Sequence, residues 1–412
     1  MSIILETCRK AKEAAGYAAG LSTLDKNKML LLIADALEAE SSAILEANKI
    51  DVTECTRGAQ FADRLTLTSQ RIKGVADGVR EVAKLPDPIG TTIEKRVLYN
   101  GLRLSKVCVP LGVVGVIYEA RPNVTADVIA LTLKTGNAVV LRGSKDALRS
   151  NAAIVKAVKT ALVKAGYENA FIQLIEDGTR EGATEFMRAR GLIDVLVPRG
   201  SAALIENAVL NSTVPCIETG AGNCHIFVDE SADFDKAAKI ILNAKCQRPS
   251  VCNAAETVLV HTAVADKFLP YIIDKLCEAG VTVHGDKAAC KASKNVVPAA
   301  EDDYYREYGS LDIALKVVGD TAAAIAHINK YGTMHSDAII TKDSGNAKKF
   351  VSQVDSACVY VNASTRFSDG FEFGLGAEVG ISTQKLHARG PMGLEALTST
   401  KFIVEGEGQV RS

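Results

Sequence analysis

The sequence predicts an α/β protein: a doubly wound parallel-sheet domain, a second α/β domain after it, and a small antiparallel hairpin element. Three observations lead there. From Gly112 onward, short and nearly continuous apolar runs alternate with helical stretches. Strands of a parallel sheet covered on both faces read that way. After about residue 222 the alternation begins a second series. Between the N-terminal region and the first series, "TTIEKRVLYNGLRLSKVCVP", Thr91–Pro110, alternates about "YNG" as a hairpin does.

The elements follow in order. From about Leu5 to Lys84 the pattern is helical, and "KNKMLLLIADALEAESSAILEANKIDV" sets apolar residues three and four apart. The hairpin comes next. "GVVGVIY" predicts a strand before the helix "TADVIALTLKTG", and "NAVVLRG" one before "DALRSNAAIVKAVKTALVKAG". "AFIQLIE" precedes "TREGATEFMRARG", "IDVLVPRG" precedes "SAALIENAVLNS", and "VPCIETG" is the last apolar run of the series. The second series opens with "CHIFVDE" and the helix "FDKAAKIILNAKC", then a loop, then "ETVLVHT". It continues through "VADKFLPYIIDKLCEAG", "VTVHGD", "LDIALKVVG", "TAAAIAHINKYG", "SDAIITKD", "NAKKFVSQV" and "ACVYVN". A Gly-rich stretch, "STRFSDGFEFGLGAEVG", leads to a final strand, "TKFIVEG". The expected domains are 1–90 with 112–222 and part of 363–394; 223–362; and a β-element of 91–111 with 395–412.

Composition narrows the class. The chain has 412 residues, 47% apolar and 24% charged, with formal net charge −1, which fits a globular protein of two or three domains. That balance, with no Lys/Arg-rich run, argues against nucleic acid as a partner. The N-terminal apolar stretch is too short for a secretion signal. No apolar run reaches the ~18 residues of a membrane span, so the expected location is the cytoplasm and no membrane partner is expected. Ten cysteines are scattered with no C-x-x-C pair, so neither a disulfide framework nor a metal site is expected.

Two features point to chemistry. The loops after the strands, Arg142–Ser144, Glu176–Gly182 and Pro198–Ser201, place small residues at helix starts, where backbone N–H groups can meet phosphate. No G-x-G-x-x-G follows a strand, and such loops equally serve to turn the chain. In "QRPSVCNAAETVLV", Gln247–Val260, Cys252 lies in a loop before a β-branched run.

Read together, these segments resemble the aldehyde dehydrogenase superfamily. "PLGVVGVIYEARPN" is similar to its strand and Pro–aromatic–Asn turn, "GNAVVLRGS" to its Gly-Asn-x-Val-Val-Leu-Lys-Pro segment, and "VPRGSAALI" to its Thr-Gly-Ser loop. "CIETGAGNCHIFVDESADFDKA", "QRPSVCNA", "REYGSL" and "GPMGLEALTSTKFIV" resemble later family segments, in the family's order from about residue 105 to the end. "VGDTAAAIAHINKYGTMHSDAI", "VNASTRFSDG" and "STQKLHARGPMGLEAL" resemble more narrowly the γ-glutamyl phosphate reductase family. That resemblance implies NADPH-dependent reduction of L-glutamyl 5-phosphate to L-glutamate 5-semialdehyde in proline biosynthesis. It also implies a separate glutamate 5-kinase as supplier of the labile substrate. The hairpin and last strand are, in the superfamily, the subunit-pairing element, so a homo-oligomer is expected.

The resemblance assigns roles residue by residue. Cys252 becomes the nucleophile whose thiolate attacks the acyl carbon, which requires a pKa below the usual ~8.5. Arg248 is near it in sequence, as tuner of the thiol or as substrate clamp. Asn123, with the backbone N–H of Cys252, would hold the oxyanion; a helix cap is the plainer role for an Asn there. Glu218 stands where oxidising relatives keep a general base. Here hydrolysis would waste the intermediate, so it is equally a group that orients the cofactor or assists proton transfer, or a solvated strand-end acid. Arg142, Gly143, Ser144 and Lys145 suit the 2′-phosphate of NADP, with Asp146 one step on. Gly200 and Ser201 would open a helix beneath the pyrophosphate, and Glu307 would take the nicotinamide ribose. Arg121, Arg366, Ser364, Thr365 and His335 are the candidate substrate contacts; His335 is alternatively a buried histidine bonded to the backbone.

Three rivals remain open at this level. A non-phosphorylating aldehyde dehydrogenase needs Glu218 as base. A cysteine hydrolase needs a histidine partner, and none flanks Cys252. A binding or scaffold protein on this fold would hold cofactor without turnover.

Overall fold

A computed structural model describes residues 2–411. The chain forms two compact units. One comprises the residues up to Glu218 with 374–380 and the chain from Met392; the other comprises Thr219–Phe373 and Ile381–Pro391.

In the first unit, five helices come first: α1 (Ile3–Gly20), α2 (Thr23–Ala39), α3 (Ser41–Glu54), α4 (Ala59–Leu65) and α5 (Ser69–Lys84). Ser2, Ser22 and Thr68 start three of them by accepting a backbone N–H three residues on. The hairpin β1 (Thr92–Val97) and β2 (Arg103–Pro110) is antiparallel. Then β3 (Val113–Tyr118), α6 (Asn123–Lys134), β4 (Ala138–Gly143), α7 (Leu148–Lys164), β5 (Ile172–Leu174), α8 (Arg180–Met187), β6 (Val195–Arg199) and α9 (Ala202–Asn211) alternate. The four-stranded sheet runs β5-β4-β3-β6, all parallel. Every residue of β3 and β4 is buried, the reason their sequences are apolar without alternation. The order reverses between β3 and β6, so the loops after Tyr118 and Arg199 flank a topological switch point.

In the second unit, β7 (Cys224–Val228), α10 (Phe234–Cys246), β8 (Ala255–His261), α11 (Thr262–Glu278), β9 (Thr282–Gly285), α12 (Lys287–Ala292), β10 (Val296–Pro298), β11 (Asp312–Val318), α13 (Thr321–Tyr331), β12 (Ser336–Ile340), α14 (Ser344–Gln353) and β13 (Cys358–Val361) follow. They build a parallel sheet of order β10-β9-β11-β8-β7-β12-β13. Its two faces are packed separately. Ile226, Val228, Val258, Val260 and Ile340 face the helices α10 and α11. Phe227, Leu259 and Ile339 face Phe350 of α14 and Ile325 of α13. A short pair, β14 (Ile381–Ser382) and β15 (Gly390–Pro391), completes the unit. The last strand, β16 (Thr398–Glu405), returns to the first unit and pairs with β2 along its whole length.

Two expectations are corrected. "VPCIETG" is not a strand: it makes one bridge, Leu196 to Cys216, and then leaves the sheet. Residues 219–222, expected with the first domain, belong to the second unit, because Gly220 N–H donates to Ile381 O and Gly222 N–H to Glu307. The part of 363–394 that joins the first unit is 374–380 with the residues from Met392.

Candidate active site

The second unit carries Cys252 in the loop between α10 and β8, partly exposed, as a reactive thiol must be. This loop is locked from three sides. Gly222 lies against its backbone so closely that a Cβ there would stand 1.4 Å from Cys252 O and 2.7 Å from its Cα. The buried thiol of Cys224, at the start of β7, donates to the same carbonyl at 3.2 Å. Asn253 Nδ2 donates to Ser368 O at 2.9 Å and Arg366 O at 3.3 Å, while Thr365 Oγ1 donates to Asn253 O at 2.7 Å. The Arg366 guanidinium donates to Asn253 Oδ1, and its Nε to Gln247 Oε1 at 3.0 Å.

Charge in the loop follows from this anchoring. Burial lowers the Arg366 pKa; Asp369 and Cys252 oppose that shift and Arg248 adds to it. The Cys252 thiol is therefore within electrostatic reach of an anchored guanidinium, whereas Arg248 is exposed. Burial pushes the Cys224 thiol well above its ordinary range. Of these two neighbouring cysteines, Cys224 stays a thiol and acts as a support.

The loops around Cys252 share an end of the sheet. Gly222, Cys252, Glu307 and His335 precede β7, β8, β11 and β12, so they cluster at the amino ends of adjacent strands. Glu307 is exposed, and its Oε1 accepts from Gly222 N at 3.1 Å. Behind them Lys245 Nζ and Glu256 Oε2 form a fully buried ion pair at 2.6 Å, and Glu256 Oε1 also accepts from Gly309 N at 3.3 Å. Burial raises the Glu256 carboxyl to about 7, with Lys245 pulling it back.

His335 takes the buried one of its two expected places, with side-chain partners where a backbone one was expected. It is 1% exposed, with Nδ1 2.9 Å from Ser336 Oγ and 3.8 Å from Cys224 Sγ. Ser336, Ser368 and Tyr360 hydroxyls continue this buried polar chain. The ring thus packs among buried side chains beneath the Cys252 loop. Ser364 Oγ accepts from Arg366 N, so Ser364 and Thr365 also spend their side chains on holding this segment.

In the first unit the loop after β3 bends through Ala120 at φ 42, a left-handed conformation that costs a non-glycine residue about 1 kcal/mol. The bend sets up Arg121, partly buried, and then Pro122 and Asn123. Asn123 is the first residue of α6 and does not cap it. Its Nδ2 donates instead to Asp127 Oδ2, one turn on, at 3.1 Å. Burial raises the Asp127 carboxyl to about 6, against the lowering effects of Asn123 and Arg199.

At the carboxyl end of β4, Arg142 donates to Thr179 O, but its Nε is buried without a partner, as are Ser144 Oγ and Asn151 Nδ2. Unspent donors at this strand end suit a phosphate-bearing ribose. A side chain at Gly143 would strike Asn151. Lys145 is exposed beside them. Asp146 is paired with Arg57 at 3.4 Å and is not placed as a free ribose acceptor. The start of α9 is different from expectation. Ser201 N already donates to Glu119 Oε2 at 2.9 Å, and Gly200 packs on the same carboxylate. A pyrophosphate at that helix start must displace Glu119. Glu218 ends the unit, partly buried, and its charge helps raise the Cys216 thiol.

Sequence reading missed Gly222, Cys224, Asp127, Glu119 and the Lys245–Glu256 pair. Only the i,i+4 spacing of Asn123 and Asp127 at a helix start was a usable signal; the others act across strands.

The aldehyde dehydrogenase family model matches residues 3–291. A γ-glutamyl phosphate reductase of Carboxydothermus hydrogenoformans is 52% identical, covering 100% of both chains. Another, of Thermobifida fusca, is 52% identical over 99% of this chain and 98% of its own. The crystal structure of a γ-glutamyl phosphate reductase from Thermotoga maritima superposes with TM-score 0.96 at 48% identity, covering 100% of both chains.

Proposed function

Because the chain belongs to the γ-glutamyl phosphate reductases of the aldehyde dehydrogenase family, we propose that it is the oxidoreductase that reduces L-glutamyl 5-phosphate to L-glutamate 5-semialdehyde and phosphate in proline biosynthesis. The Cys252 thiolate attacks the γ-acyl carbon. The new S–C bond forms, the C–O bond to phosphate breaks, and a thioester remains on Cys252. NADPH, when bound, supplies the hydride that reduces this acyl group. The C–S bond then breaks, the thiolate leaves, and the aldehyde is released. Asn123 and the backbone N–H of Cys252 donate to the oxyanion of the tetrahedral states.

Arg142, Gly143, Ser144 and Lys145 would hold the cofactor's 2′-phosphate, in keeping with the unspent donors of Arg142 and Ser144. Gly200 and Ser201 would take the pyrophosphate once Glu119 is displaced, and Glu307 the nicotinamide ribose. Arg366, anchored beside Cys252, and Arg121 and Arg248 would bind the anionic ends of the substrate. His335, Ser364 and Thr365 act by holding the loop. Glu218 has no step assigned, since phosphate and not water is exchanged. A homo-oligomer through β1, β2 and β16 is in keeping with the exposed Phe402, Ile403 and Val404. The chain works in the cytoplasm, beside a separate glutamate 5-kinase that supplies the acyl phosphate.

The observation that carries this reading is the Cys252 loop, a partly exposed thiol held by Gly222, Cys224 and the 364–368 segment. Glutamate semialdehyde, phosphate and NADP⁺ together are expected to yield NADPH, and Cys252→Ser to abolish this. Full activity in the variant, or activity indifferent to phosphate, overturns the reading.

A further inference from the structure

The hydrogen bond between Asn123 Nδ2 and Asp127 Oδ2 has a chemical asymmetry. A carboxamide presents two N–H donors on one side and an acceptor oxygen on the other, whereas an ionised carboxylate only accepts. An ionised Asp127 therefore admits one orientation of the Asn123 amide, with Nδ2 toward it. The second N–H of Nδ2 is then left at a fixed angle, and Oδ1 is kept away. A neutral carboxyl can donate to Oδ1 as well as accept from Nδ2, so the amide is free to turn over. Turned over, Asn123 offers a lone pair where it had offered a proton.

We propose that Asp127 is a positioning residue: its bond to Asn123 selects the amide orientation that keeps an N–H available for the reacting carbonyl oxygen. This rests on the reading of Asn123 as oxyanion donor. The geometry is local and well supported. Both side chains lie on the first two turns of α6. Val124, Ala126 and Val128 are buried between and beside them, which fixes the helix face. Arg199, at the end of β6, is the charge that favours ionised Asp127, and burial opposes it. Several charged groups on the other elements packed against α6 have partners of their own. Lys26 on α2 pairs with Asp87, Arg80 on α5 with Glu38, and Arg149 on α7 with Glu54. Tyr118 on β3 bonds Thr125, and Arg142 on β4 bonds Thr179. Since the Asp127 carboxyl titrates at about 6, orientation control is lost as pH falls through that value.

The test compares wild type, Asp127→Asn, Asp127→Leu, Asn123→Ala and the double variant Asp127→Leu/Asn123→Ala. For each, kcat and KM of phosphate-dependent semialdehyde oxidation are measured from pH 5 to 9. Asn123→Ala is expected to lose about 10²-fold in kcat, as for other oxyanion donors. Asp127→Leu is expected to lose about 10-fold, in kcat and not in KM, as a fraction of that donor's effect. The wild-type acid limb near pH 6 disappears in both Asp127 variants. In the Asn123→Ala background, Asp127→Leu costs nothing further. Wild-type kcat and an unchanged acid limb in Asp127→Asn overturn the proposal while leaving the oxyanion reading intact. A loss from Asp127→Leu that persists without Asn123 shows a merely structural role and also overturns it. A near-normal kcat in Asn123→Ala overturns the oxyanion reading and the proposal together.

Discussion

Replacing Gly222 by alanine tests how the loop of Cys252 is held. The added Cβ would lie 1.4 Å from Cys252 O, 2.3 Å from its carbonyl carbon and 2.7 Å from its Cα. All three are backbone atoms, so no rotamer change relieves the clash. Real Cβ contacts essentially never fall below 3.0 Å, so the two loops must separate by about 1.6 Å. The separation breaks or bends the bond from Cys224 to that carbonyl, because Cys224 lies only two residues after Gly222. Overpacking of this kind costs about 1–3 kcal/mol of stability. A displacement of about 1 Å at a reacting group costs about 10²-fold in rate. Gly222→Ala is therefore expected to lower kcat by more than about 10²-fold while the protein still folds. Two controls isolate the cause. Gly319→Ala meets nothing within 4 Å and should be neutral. Gly220→Ala strikes a flexible side chain first, that of Thr383, and should be intermediate. The assay is NADPH formation from glutamate semialdehyde, phosphate and NADP⁺, with unfolding curves beside it. A Gly222→Ala protein with near-normal kcat would refute the idea that this contact sets the thiol's position.

Other outcomes follow from the same geometry. Breaking the buried pair by Lys245→Met or by Glu256→Leu alone should cost about 3–5 kcal/mol in denaturant unfolding, and the double variant should recover much of it; equal losses in all three would contradict this. His327 is buried, and burial, with the charge of His225, lowers its pKa to about 3. The folded form thus refuses a proton that the unfolded chain takes below about 6.5. Its stabilising effect is complete above about 6.5 and is lost as pH falls toward about 3. His327→Phe should flatten the acid side of the stability profile, and an unchanged slope would exclude His327 as its source. Charge placed on β16, as Phe402→Glu, should shift sedimentation toward smaller species without loss of fold; an unchanged profile would remove that strand from the pairing surface.

How far the sequence reached depended on the kind of interaction. β3 and β4 were legible because burial on both faces leaves no polar residue to interrupt "GVVGVIY" and "NAVVLRG". The helix "FDKAAKIILNAKC" coincides with α10, since Asp233 caps its start. "VPCIETG" misled because an apolar run of that length also serves a chain leaving a sheet. α12 and β10 went unread; each is too short for periodicity to register. At the site, the loop bearing Cys252 was legible as a helix-to-strand connection. Cys224 was not, because its effect on that loop comes from strand pairing between β7 and β8. The inward place of His335 was one of its two readings, but the left-handed Met334 before it is announced by no local pattern.

The clamp on Asn253 has a consequence for the timing of synthesis. Its partners Thr365, Arg366 and Ser368 lie 112, 113 and 115 residues further along the chain. At about 5–20 residues per second, a ribosome takes roughly 6–22 s to make that stretch. Throughout that interval the thiol of Cys252 exists without the segment that fixes its loop and brings the Arg366 charge near. On the proposed role of Cys252, the nascent chain carries an ordinary cysteine until the closing segment docks. Such long-range closure is also slow to form and early to open. Heat or mild denaturant should silence the thiol before the sheet around it melts.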